Sequence, residues 1–176
     1  ATVVLTFAAN TGDAAVTYTV TFTAGELTKT FTLTQNAAAS EGASTITLTD
    51  SVLPTAYPTT ETIVKVGTYE LGILNVANYG NGVQVKKETG YIANKTNNGK
   101  IKSIKLTWNP EKSFYPTNIQ LSVGASADAV STVAEQQADN DAKTVTYDLS
   151  SGNYNFFKIS NTSTYAVYFS KVEIVY

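Results

Sequence analysis

The chain has 176 residues, 43% hydrophobic and 15% charged, with a net charge of −2 and no histidine, cysteine, methionine or arginine. That balance supports a packed core rather than a disordered tail, and the lack of arginine disfavours a protein that clamps nucleic-acid phosphates. Without His or Cys there is no disulfide scaffold, no His- or Cys-ligated zinc, and no Ser-His-Asp or Cys-His catalysis.

No stretch approaches the ~20 consecutive apolar residues of a membrane helix. The absence of Met leads to the expectation of a processed or shortened chain, with any signal peptide or lipid anchor upstream of Ala1.

Taken in order, Val3, Leu5 and Phe7 alternate with Val4 and Thr6, and Asn10 to Asp13 make a turn. Val16, Tyr18, Val20 and Phe22 alternate with Thr17, Thr19, Thr21 and Thr23. After a turn at Ala24 to Glu26, Phe31 and Leu33 alternate with Thr30, Thr32 and Thr34. A period of two marks strands, and β-branched and aromatic side chains suit a pleated surface. These segments predict three antiparallel strands in a meander. Three strands alone bury too little to stand by themselves. They are expected either to dock on the rest of the chain or to lack a segment that completes them.

The stretch ANTGDAAVTYTVTFTAGELTKTFTLTQ, residues 9–35, resembles the closing half of a BACON domain, an immunoglobulin-like sandwich of Bacteroidetes surface proteins. The Asn-x-Gly loop, the Thr-rich alternating strands and Gln35 carry the resemblance. The opening half of that domain is missing, and Ala14 and Ala15 stand where an arginine is common in the family. The resemblance implies export and association with carbohydrate or mucin. It predicts a partial Ig-like unit at 1–36, followed by a small, polar linker at 37–44 and a second domain at 45–176.

In the second domain, Ile46 and Leu48 open a short strand, and Pro54, Tyr57 and Pro58 fall in irregular chain that leaves Tyr57 open to solvent. Residues 64–77 read as two short strands, or one strand bent at Gly67 or Gly72. Asn78 to Gly82 is a turn, and Val83 and Val85 then alternate with Gln84 and Lys86. Gly90 to Trp108 reads as the central hairpin. Tyr91 and Ile92 lie in one arm, and Ile104, Leu106 and Trp108 form the inward row of the other. Thr96-Asn97-Asn98-Gly99 is the turn between them. Residues 109–117, with Pro110 and Pro116, form a loop carrying Phe114 and Tyr115. Ile119, Leu121 and Val123 make a strand, and 125–140 reads as a strand with a long loop. Alternation resumes at Val145, Tyr147 and Leu149, at Phe157 and Ile159, and from Val167 to Tyr176. About eight short strands separated by turns predict an all-β sandwich of jelly-roll type.

The segments YGNGVQVKKETGYIANKT, GKIKSIKLTW, YDLSSGNYNFFKIS and VYFSKVEIVY resemble a repeated module of Bacteroidetes exported proteins with a galactose-binding-like β-sandwich fold. The matched positions are mostly core and turn residues. The resemblance implies kinship with carbohydrate-binding modules, some of which hold structural calcium.

A sugar-binding surface needs aromatic faces for the C–H faces of pyranose rings and nearby amides or carboxylates for the hydroxyls. The loop residues Tyr57, Tyr79, Asn81, Phe114 and Tyr115 are the candidates, with Asn78, Asn109 and Asn118 as further amides. The alternative is that these rings cap the ends of the sandwich while the asparagines build turns. Trp108 is in phase with Ile104 and Leu106, which assigns it to the core rather than to a binding platform. No cofactor is expected. Asp139 and Asp141, with Asp128 upstream, are the only calcium candidates, although a solvated acidic loop explains them as well. The fourteen acids are scattered and single out no catalytic pair, so no enzyme is expected. Asn94-Lys95-Thr96 and Asn161-Thr162-Ser163 fit the N-glycosylation pattern. Lys86, Lys87, Lys100, Lys102 and Lys105 read as solubilising charges.

The resulting expectation is a non-catalytic carbohydrate-binding or adhesion module of an exported cell-surface protein. Its partner would be a glycan or another surface protein, with no nucleic acid and no membrane span in this chain. The alternative is a structural spacer or protein-interaction domain.

Overall fold

The computed structural model describes residues 4, 6, 7, 15–35 and 44–176. The chain divides into two compact units, Ala1–Ala43 and Ser44–Tyr176. The predicted turn at 10–13, the linker at 37–43, and Val3 and Leu5 of the first predicted strand lie outside the described residues.

In the first unit, β1 (Val16–Ala24) and β2 (Leu27–Gln35) form an antiparallel hairpin. Gly25 takes φ 63°, the left-handed backbone that opens a tight hairpin turn. The register sorts most side chains by chemistry, with Lys29 opposite Phe22 and Gln35 opposite Val16 as the polar members of the apolar side. Thr17, Thr19, Thr21 and Thr23 face Thr34, Thr32, Thr30 and Thr28 on one side. Tyr18 and Val20 face Leu33 and Phe31 on the other, and Phe22 stacks on Phe31 with ring centroids 5.4 Å apart. The Phe7 ring lies 4.7 Å from that of Tyr18.

The second unit is an all-β sandwich. Its strands are β3 (Thr45–Leu48), β4 (Thr62–Val66), β5 (Tyr69–Leu74), β6 (Val76–Asn78), β7 (Val83–Val85) and β8 (Tyr91–Asn94). They continue with β9 (Ser103–Trp108), β10 (Ile119–Gly124), β11 (Thr132–Val133) and β12 (Gln137–Asp139). The last three are β13 (Thr144–Asp148), β14 (Phe156–Asn161) and β15 (Val167–Val175). One sheet has the order β11-β10-β14-β8-β5-β4, and the other β12-β13-β9-β15-β7-β6. Strand β3 shares the free side of β15 with β7: Val172–Val175 pairs with β3 and Val167–Phe169 with β7. All the pairings are antiparallel.

The central hairpin expected over Gly90 to Trp108 is not formed. Strand β8 lies between β5 and β14, whereas β9 lies between β13 and β15 in the opposite sheet. The turn residues around Gly99 (φ 103°) therefore carry the chain across the sandwich. Ile101 anchors this crossing: its side chain is fully buried, and its N–H donates to the Tyr154 carbonyl at 2.8 Å. The segment 64–77 also breaks differently from expectation. It turns at Gly67 and again at Asn75, both with positive φ, while Gly72 stays within β5. There are thirteen strands rather than about eight: residues 62–78 hold three, and 132–139 hold two where a single strand and a long loop were expected.

Inward residues of both sheets form one core. Trp108 is 1% exposed and meets Phe114 and Phe169 edge-on, with centroid separations of 4.9 and 4.7 Å. Edge-to-face packing of this kind adds to the gain from burying the rings.

Two inward positions are asparagines, both buried and fully used. Asn94 donates to the Asn155 and Thr96 carbonyls and accepts from the Phe157 N–H at 2.8 Å. Asn161 of β14 donates to Val85 O of β7 at 3.1 Å and to Tyr165 O at 2.8 Å. Its Oδ1 accepts from the Ser163 N–H at 3.0 Å. The first bond ties one sheet to the other, and the other two fix the loop before β15. Both glycosylation patterns therefore fall on asparagines that are 4% and 1% exposed, which leaves no room for a glycan.

Replacing Asn161 with Ala strands the buried Val85 carbonyl, so it should lower unfolding free energy by about 2–3 kcal/mol in urea denaturation. The same change at the exposed Asn153 should cost under about 0.5 kcal/mol.

Candidate functional site

The loop between β3 and β4 folds against β6. The Asn78 N–H donates to Pro54 O at 2.8 Å, and the Asn75 N–H to Pro58 O at 3.0 Å. These bonds hold Tyr57 over the outer face of the second sheet, where it is half-buried rather than open to solvent. Its ring centroid lies 5.0 Å from that of Tyr79, with the planes at 58°. The Tyr79 hydroxyl accepts from the Tyr57 N–H at 3.4 Å, and the Tyr79 side chain remains 49% exposed.

Tyr79 stands on the β6–β7 turn, which is set by local chemistry. Asn78 Oδ1 accepts from the Gly80 N–H at 2.7 Å. Gly82 takes φ 88°, and a Cβ there would lie 2.2 Å from the Phe169 carbonyl, so the position needs glycine. Asn81 donates to Tyr79 O at 3.3 Å, and its own carbonyl accepts from Asn109 Nδ2 at 3.0 Å.

The sheet extends this patch. Val83, Val85, Val167 and Phe169 point inward, so Gln84 and Tyr168, paired in the β7–β15 register, point outward. Gln84 Nε2 lies 3.5 Å from the Tyr168 hydroxyl. Lys86 Nζ sits 5.5 Å from the Tyr57 ring centroid, and Lys112 Nζ sits 5.4 Å from that of Tyr168. Three tyrosines, an amide and two ammonium groups thus share one outer surface. Burial, with Tyr168 and Tyr79 adding to it, pushes the Tyr57 hydroxyl up to about 12 against a smaller opposing bond from Gln84. It stays a neutral phenol throughout the neutral range.

Phe114 and Tyr115 part company. Phe114 turns inward onto Trp108, whereas Tyr115 is 44% exposed and stacks at 6.0 Å on Tyr165, which is 65% exposed. Sequence reasoning missed Tyr165, Tyr168 and Gln84. The usable signal for the last two was their position between inward residues on alternating strands.

Of the calcium candidates, Asp139 has a turn role. Asp139 Oδ1 accepts from the N–H groups of Asp141 and Ala142, both at 3.0 Å, and so closes the β12–β13 turn. Among the described residues no group of three or more His, Cys, Asp or Glu side chains is placed to hold a metal. Also among the described residues, no helix is long and apolar enough to cross a membrane. The lysines are dispersed: Lys102 Nζ donates to Tyr176 O at 3.0 Å, and Lys105 lies opposite Glu173 in the register, while the Glu173 carboxylate pairs with Lys171 at 3.0 Å.

The outer face of the first sheet carries a self-contained polar network. Glu61 pairs with Lys95 at 2.7 Å and accepts from the Tyr91 hydroxyl at 2.8 Å, while Lys158 Nζ lies 4.2 Å from the Tyr91 ring centroid. The network lies over Gly72, where a Cβ would meet the Lys95 side chain at 2.8 Å. These charges answer one another, which makes the network a brace across the strands.

No protein-family model matches the chain, and a search of curated proteins finds no similar sequence.

The hydrogen bonds from Lys95 and Tyr91 hold the Glu61 carboxyl below its usual range. A depressed carboxylate stabilises the fold above its unfolded pKa, and that contribution is lost as pH falls through the folded one. Glu61→Gln should therefore cost less than about 1 kcal/mol at neutral pH, since the pair is partly solvated. Urea midpoints measured from neutral pH down to about 3 should converge for the two proteins, because acid removes the same contribution from the parent.

Proposed function

We propose that the chain is a non-catalytic carbohydrate-binding or adhesion module of an exported bacterial surface protein. The outer tyrosine patch of the second sheet is its recognition surface. The observation that carries this reading is the Tyr57–Tyr79 pair, held at 5.0 Å beside the outward amide of Gln84. Exposed aromatic rings next to amide donors and acceptors suit the alternating C–H faces and hydroxyls of a sugar chain. The patch is an open surface, which favours the side of a polysaccharide over an enclosed small molecule. Lys86 and Lys112 add positive charge at Tyr57 and Tyr168, so glycans bearing carboxylate or sulfate are favoured. The resemblance to galactose-binding-like modules of Bacteroidetes exported proteins supports the same assignment and a location outside the cell.

A second reading, as a spacer or protein-interaction domain, draws on the β1–β2 hairpin. Its apolar face leaves Phe22, Phe31 and Leu33 exposed by 37%, 44% and 42%. Such a face suits a neighbouring protein surface better than a sugar.

Affinity electrophoresis in gels containing neutral or acidic polysaccharides tests the first reading. Retention by at least one polysaccharide is expected, and Tyr79→Ala should weaken it about tenfold, as for a central contact residue. Far-UV circular dichroism should stay unchanged, since Tyr79 lies on an exposed turn. Absence of retention across the panel, or equal retention by the variant, counts against the tyrosine patch.

A further inference from the structure

The two sheets part at the edge formed by β10 and β13. A strap of chain crosses there, with β11 paired to β10 and β12 paired to β13. Between them, the Ala134 N–H donates to the Leu121 carbonyl at 2.9 Å. The crossing leaves a cleft of about 540 Å³, lined from one sheet by Ile119 and Leu121 and from the other by Tyr147. Its size falls in the range of small-molecule sites.

Tyr147 marks the cleft as more than a packing gap. The residue is 1% exposed, yet its hydroxyl has no hydrogen-bond partner among the described residues. Buried hydroxyls are usually paired. This one is shielded from solvent in the cleft wall, so an occupant reaches it only when the lining shifts. Burial raises the Tyr147 pKa, so the group is a neutral phenol that can donate or accept.

The rest of the lining narrows the ligand. Leu121, Val133 and Ala134 supply apolar contact, whereas Gln120, Gln136 and Thr162 supply amides and a hydroxyl. Glu135 is the only charged side chain in the lining and no cation is present there, which disfavours anions. The loops that contribute Thr117 and Thr162 also carry the exposed, stacked Tyr115 and Tyr165. An apolar floor, a rim of neutral polar groups and a nearby ring pair fit an uncharged polyhydroxylated ring.

We propose that this cleft is a second binding site, distinct from the outer tyrosine patch, that takes a single neutral sugar residue such as a glycan end and hydrogen-bonds it through the Tyr147 hydroxyl. Only the ligand class is shared with the reading above, and different residues carry each site.

Titration of the full chain with free glucose, galactose and mannose, followed by methyl NMR, tests the proposal. At least one hexose at millimolar concentration should shift the Leu121 and Val133 methyl signals. Tyr147→Phe removes only the unpaired hydroxyl and should weaken that hexose about five- to tenfold, the effect of one hydrogen bond. Val133→Trp, at a position 56% exposed, should fill the cleft and abolish the shifts. The Val83 and Val85 methyl signals, beneath the tyrosine patch, should stay unmoved, which separates this site from the patch. Methyl shifts with none of the hexoses, parent-like affinity in Tyr147→Phe, or saturation by a short fatty acid in place of any hexose would each overturn the proposal.

Discussion

The sandwich depends on one constraint: the segment between β8 and β9 must leave the sheet that holds β8 and carry Trp108 into the other. Ile92 of β8 and Ile104 of β9 then face each other's sheets across the core rather than pairing as neighbours. Trp108 arrives at the end of β9, where Phe169 is its cross-strand partner and Phe114 closes over it from the following loop. Once that ring cluster is in place, β15 has β9 on one side and both β3 and β7 on the other. The outward residues of β7 and β15 are therefore fixed by the same packing that buries Trp108.

That link joins fold to function. Gln84 and Tyr168 are presented outward because Val83, Val85, Val167 and Phe169 are needed inside. Tyr57 joins them because two backbone bonds pin its loop to β6. Asn161 plays a similar part at the other loops, reaching Val85 across the sandwich and holding the backbone of Tyr165. The aromatic side chains thus sit on a rigid support, which limits the entropy lost when a ligand orders them. The surface and the edge cleft differ in kind, one rich in exposed tyrosine, the other with an apolar floor and the buried Tyr147.

Much of this was legible in the sequence because alternation is a local property. Ile46 and Leu48, Val83 and Val85, Ile104 to Trp108, Ile119 to Val123 and Phe157 to Ile159 all point inward as their period of two requires. Strand partners were not legible. The Thr96 to Gly99 segment says that the chain turns, but it does not say whether it returns to the same sheet or crosses to the other. Asn94 and Asn161 sit at inward positions where a polar residue makes sense only once its partners on distant segments are known. The loop aromatics divided for the same reason. Phe114 and Tyr115 are adjacent and similar, and only the position of Trp108 decides which of them turns inward. Tyr147 read as an ordinary core residue, since neither the cleft nor its unpaired hydroxyl has a sequence signature.

Interstrand proton contacts measured by NMR on the labelled chain test this arrangement most directly. Backbone contacts are expected from Ala93 to Gly72 and to Lys158, and from Leu106 to Val145 and to Val172. Contacts joining residues 91–94 directly to 103–108 would restore the hairpin, displace Trp108 from the core between the sheets and contradict this topology.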